Sequence, residues 1–163
     1  MAIDMFLKID GIPGESTDAR HPDEIDILSY TWGESHPAAA SSGGGSGSSA
    51  GRVTMQDFHF AMHLNKASPK LFLACASGAH IRNAILTMRR SGENPIEFLK
   101  WTFTDVTIAS YQTGAIVPPG ELLTDQFSLR FAKIATEYTP MNPNGTPGVP
   151  VKAGWDLTAN RPI

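Results

Sequence analysis

The residues best suited to chemistry lie in "QDFHFAMHLN", where Asp57, His59 and His63 fall on one side of an alternating apolar pattern. A carboxylate and two imidazoles on one strand face are metal-type ligands, but local spacing supplies no fourth group. A solvated outer strand face accounts for them more simply. In "ASGAH", Ser77 and His80 have the types of a nucleophile and its base. No orienting acid lies near them in sequence, and the end of a helix explains both. Cys75 reads as a small core side chain. Arg82, Arg89 and Arg90 differ in strand parity and lack the interleaved aromatic residues of a nucleic-acid platform, so they read as edge positions or subunit contacts. "GGGSGSS" opens no helix that could hold a phosphate. The residues therefore predict no catalytic group, no cofactor and no metal, and favour a structural or binding protein.

Elements that would position these side chains alternate with period two. In "MAIDMFLKID", Ile3, Met5, Leu7 and Ile9 alternate with Asp4, Lys8 and Asp10, leaving Phe6 as the exception. In "DEIDILSYTWG", Leu28, Tyr30 and Trp32 share one face, and Ser29, Thr31 and Gly33 the other. Phe58, Phe60, Met62 and Leu64 share a face, while Val53 and Met55 have the other parity, which predicts a bulge or face switch near Gln56. "SPKLFLACASG" predicts one helix over 68–78, with Ser68 as cap, Pro69 in the first turn, Gly78 as stop, and Leu71, Phe72 and Cys75 on one side. Ala84, Leu86 and Met88 mark a further strand. "NPIEFLKWTFTDVTIASY" reads as a long strand that turns a corner where parity flips between Phe103 and Val106. Phe127, Leu129 and Phe131 mark another, and "VKAGWDL" can close the sheet. The fold class is mainly β, an antiparallel β-barrel of two packed sheets with one short α-helix.

The chain has 163 residues, 41% of them hydrophobic and 18% charged, with a net charge of -3 and one cysteine. That length fits a single domain, 1–163, carrying a Gly/Ser-rich loop at about 35–51 as an internal insertion rather than a linker. The charge gives no general attraction to nucleic acid or membrane, and an intramolecular disulfide is excluded. Charged residues interrupt the N-terminus where a signal peptide needs an apolar core.

Taken in order, "MAIDMFLKIDGIPGES", "EIDILSYTWG", the Gly-rich loop, "DFHF", "SPKLFLACASG", "ENPIEFLKWTFTDVTIASYQTG" and "VKAGWDLTAN" resemble the hemolysin-coregulated protein family, Hcp. The resemblance spans almost the whole chain. It implies a tube subunit of the bacterial type VI secretion system, a β-barrel assembling as hexameric rings that stack into a hollow tube. Implied partners are further copies of the chain, a VgrG spike, the contractile sheath and small effectors held in the lumen. The implied route is assembly in the cytoplasm and expulsion into the medium or a target cell without a cleaved signal peptide. No fused C-terminal toxin domain of the kind some relatives carry is expected beyond "GWDLTANRPI".

On that reading, small polar Ser29 and Thr31 are the candidate lumen and effector contacts. Ser35, His36, Pro37, Gly43, Gly44, Gly45 and Arg52 are the candidate ring-stacking residues. Their composition predicts weak stacking, because immobilising a flexible segment costs ~1–2 kcal/mol per residue. A lectin-like binding barrel with an aromatic-lined pocket is the rival reading, followed by a small β-fold hydrolase.

Overall fold

A computed structural model describes residues 2–37, 51–116, 120 and 122–163. In chain order the elements are β1 (Ile3–Ile9), β2 (Ile25–Asp26), β3 (Ser29–Thr31), β4 (Glu34–Ser35), β5 (Thr54–Met55), β6 (Phe58–His63), α1 (Ser68–Ser77), β7 (Ile81–Arg90), β8 (Ile96–Gly114), β9 (Thr124–Tyr138), β10 (Val151–Asp156) and β11 (Arg161–Pro162). Every strand pair is antiparallel, and the mainly β, one-helix architecture matches the sequence expectation.

The barrel closes through one short segment. β1, β7, β8 and β9 pair in succession, and the first half of β9 pairs with β6. Residues 25–31 join the two ends: β2 pairs with β1, and β3 with β6. Between them the Ile27 N–H donates to Met5 and the Leu28 N–H to Ala61. Closure leaves no strand of that path standing alone at a sheet edge, although β8 beyond Val106 is paired on its β9 side and not by β7. β10 takes up the second half of β9, and β11 covers only the Trp155 and Asp156 end of β10.

Aromatic packing organises the interior. Phe58 is 0% exposed, and the rings of Tyr30, Trp32, Phe60, Trp101 and Phe103 lie with centroids 4.8 to 6.0 Å from its own. These rings come from β3, β6 and β8 and from the residue just beyond β3, so one buried side chain ties the closing segment to the long strands. Gln56 and Asp57 interrupt the strand between β5 and β6, as the change of parity predicts.

The predicted corner is present and spans three strands. Ile81, Val106 and Phe131 lie in register and are buried. So do Ala84, Phe103 and Ile134, each three residues away along its own strand. Residues three apart on a flat strand face opposite sides, so burial of both rows requires a kink. Asp105 supplies it, with φ 54.

Several side chains depart from the sequence pattern. Ile3, Leu28 and Leu64 are exposed, whereas Phe6 is buried. Residues 13–24 fold back as a strap over the other face of β1 and give Phe6 a second cover. Gly14 permits the approach, because a Cβ there would collide with the Glu24 carbonyl. In α1, Ala67 occupies the cap position and Ser68 is already helical, its hydroxyl accepting from the Asn65 N–H. Gly78 ends the helix at φ 66. The buried stripe is Ser68, Leu71 and Ala74, while Phe72 is 61% exposed, because only a narrow stripe of the helix meets β8.

Candidate functional site

A polar wall runs across β3, β6, β9 and β8. Thr31 pairs with His59, His59 with Ser128, and Ser128 with Ser110. The next row holds Ser29, Ala61, Gln126 and Gln112. Paired residues point to the same side of a sheet, so each row is one band of a single surface. Ser29 and Thr31 are exposed, as their alternation with Tyr30 and Trp32 predicts. The Ser110 and Ser128 hydroxyls hydrogen-bond at 2.6 Å. Charges at the wall's edge offset each other: Arg130 donates from Nε to Asp57 Oδ1 at 3.3 Å. The result is a face of small, mostly uncharged groups, able to hydrogen-bond but with no anchor for tight binding.

β4 and β5 form a two-stranded ladder, Glu34 with Met55 and Ser35 with Thr54. Its base meets β8, β9 and β10 around an open, mainly apolar cleft of about 640 Å³. All three tryptophans of the chain, Trp32, Trp101 and Trp155, line it, together with Val53, Met55 and Ile134. Trp32 Nε1 donates to the Gln56 carbonyl at 2.9 Å. Of the candidate stacking residues, Ser35 and His36 border this cleft, and Pro37 and Arg52 are exposed beside it. Gly43, Gly44 and Gly45 lie outside the described residues.

The other chemical candidates do not converge. Asp57 is engaged by Arg130, and among the described residues no group of three His, Cys, Asp or Glu side chains could hold a metal. His80 does have an acid, absent from the local sequence: Asp105 Oδ1 lies 3.0 Å from its Nε2, brought there by the pairing of β7 and β8. That pair is exposed, and Ser77 makes no hydrogen bond to it. The contact is an exposed hydrogen bond to the kinked Asp105.

Sequence reasoning missed a charged cluster under the strap. Arg89, read from sequence as an edge position or subunit contact, is 8% exposed. Its guanidinium donates to Asp18 Oδ1 at 3.0 Å and Oδ2 at 2.6 Å and to Asp4 Oδ2 at 3.1 Å, and lies over the Phe6 ring. Arg89 holds the Asp18 carboxyl well below the usual range, aided by the Arg20 N–H. His21 stacks on Phe6 at 4.5 Å, its Nδ1 3.0 Å from Glu24 Oε2 and its Nε2 2.9 Å from Glu97 Oε1. Opposite charges so far apart in sequence give no local signal. The Asp4 and Arg89 pairing follows only from the β1 and β7 register.

Among the described residues no helix is long and apolar enough to cross a membrane. The chain is similar to Protein hcp1 of Pseudomonas aeruginosa, with 42% identity and 98% of each chain covered. A crystal structure of Hcp1 from Salmonella typhimurium superimposes with a TM-score of 0.79 at 36% identity, covering 100% of both chains. A structure described as a type six secretion system protein reaches a TM-score of 0.90 at 26% identity, over 99% of this chain and 100% of that one. The family model "Type VI secretion system effector, Hcp" matches residues 6–138, and with these relatives it shows that the chain belongs to the Hcp family of type VI secretion proteins.

Proposed function

We propose that the chain is the repeating unit of a type VI secretion tube, with the β3, β6, β9 and β8 face as its inner wall. The observation that carries this reading is the wall itself, four strands wide, small and polar, with its one ion pair internally balanced. A channel that conveys varied cargo needs a surface without strong, selective anchors. The Val151 to Ala153 stretch of β10, beyond the reach of β11, and the tryptophan cleft beside it supply an apolar seat for a neighbouring copy. Contact of that edge with a different edge of the next copy is heterologous, and closes as a ring when the rotation repeats six times. Ser35, His36, Pro37 and Arg52, at the loop end of the β4 and β5 ladder, are the proposed contacts between stacked rings.

On this reading the subunit has no catalytic role. Rings assemble in the cytoplasm inside the contractile sheath, beneath a VgrG spike. Contraction expels them with small effectors in the lumen, and no signal peptide is cleaved.

Light scattering and particle imaging of the purified protein test the reading. Rings of six copies with an open centre are expected, and a monomer overturns it. The tryptophan cleft favours the rival ligand-binding module in that event. Thr31→Arg tests the wall: rings and export persist, while co-purified effectors decline because a charge is repeated around the channel. Unchanged effector retention removes Thr31 from the lumen, and loss of rings moves it to a subunit contact.

A further inference from the structure

We propose that residues 13–24 form a pH-sensitive latch, closed when His21 bridges Glu24 and Glu97 as an imidazolium and loosened when the ring gives up a proton. The latch stands on geometry. Both ring nitrogens of His21 face carboxylate oxygens, at 3.0 and 2.9 Å, and the residue is 7% exposed. An imidazolium presents N–H to both. A neutral ring presents N–H to one and a lone pair to the other, so one attraction becomes a repulsion.

The charges around His21 come from every element that packs there. Its own strap contributes Glu24 and Asp18, β1 contributes Asp4 and Lys8, and β2 contributes Asp26. Arg89 comes from β7 and Glu97 from β8. Arg89 is committed to Asp18 and Asp4, so it does not replace the imidazolium against Glu24 and Glu97. Burial pushes the Glu24 carboxyl above its ordinary range, and His21 pulls it back. Ionised Glu24 therefore weighs against the closed state, and the imidazolium offsets it. Loss of that charge as pH rises leaves a mostly buried carboxylate with the weaker offset of Lys8.

Among the described residues, the side-chain hydrogen bond from the strap to β8 is that of His21, while Asp18 ties the strap to β7 and Glu15 accepts from the Lys66 N–H. Within the strap, backbone bonds join Gly14 to Asp23 at 2.8 Å and Ser16 to Glu24 at 3.0 Å. Opening at the His21 end breaks these and uncovers Phe6. Exposed Arg20, next to His21, provides a natural reporter.

Trypsin cleavage after Arg20, normalised at each pH to the same sequence as a free peptide, measures the open fraction in the assembled protein. From pH 6 to pH 8.5 the normalised rate is expected to rise about tenfold, the value of one charge-assisted hydrogen bond. Glu97→Gln should flatten the rise to less than about twofold, because an amide can accept from N–H or donate to the bare nitrogen. Imidazole nitrogen shifts of His21, followed by NMR over the same range, should titrate together with cleavage. A flat wild-type profile, an equally steep Glu97→Gln profile, or a ring that stays neutral throughout overturns the latch.

Discussion

The two sides of β1 and its neighbours are held by different physics. Around Phe58, five rings from distant parts of the chain exclude water, and contact area carries the stability. Across the sheet, beneath the strap, Phe6 is roofed by His21 and Arg89, and the roof is held by carboxylates. The first arrangement is insensitive to pH and tolerant in direction. The second depends on protonation and on a few atoms at hydrogen-bond distance. This fold keeps its barrel closed with apolar packing and attaches a covering segment with charge.

The largest expected effect falls on the aromatic side. Phe58→Ala should cost about 3–5 kcal/mol, the range for truncating a buried large aromatic, read as a lower urea midpoint at every pH. A loss that varied strongly with pH would erase the contrast between the two regions.

Tyr111→Phe probes a polar group inside the apolar region. Tyr111 donates to Asp125 Oδ2 at 2.8 Å, and Asp125 is 0% exposed. Removing the donor should cost about 1–3 kcal/mol in urea unfolding, because a buried acceptor loses its partner. A neutral result would mean that Asp125 takes another donor on substitution.

Asp18→Asn sharpens the charged side. Its carboxyl is held well below its ordinary value of 3.8 chiefly by Arg89, so its stabilisation is complete above that value and is lost as pH falls below it. The wild-type urea midpoint should therefore fall steeply between about pH 4 and pH 2, and the variant should be weaker at pH 6 with a flatter acid slope. Parallel slopes would assign the acid sensitivity to another carboxylate. At the small end, replacing His59 and His63 with Asn together should change stability by about 0.5 kcal/mol or less, as for exposed strand residues. Stoichiometric metal in the purified protein, lost in that variant, would contradict the reading of a solvated wall.

Alternation alone determined much of this molecule. Ser29 and Thr31 had to face away from Tyr30 and Trp32, because successive strand side chains point to opposite faces. Pro69 and Gly78 marked the ends of the helix through their backbone preferences. The parity change after Phe103 announced a kink, and the order of short motifs identified the family. Tertiary structure decided everything that depends on what lies across from a residue. Phe6 broke the pattern of its strand until the strap supplied a second cover, and Phe72 fitted the helical stripe but stays mostly exposed, meeting β8 only at the Tyr111 ring. Arg89 read as an edge or subunit-contact cation until register set Asp4 beside it and the strap brought Asp18. His21 carried no signal at all, since Glu97 is 76 residues away. Periodicity reports which side of an element a residue occupies, because that follows from local backbone geometry. It does not report what occupies that side, because burial and charge pairing are properties of surfaces that only the closed barrel brings together.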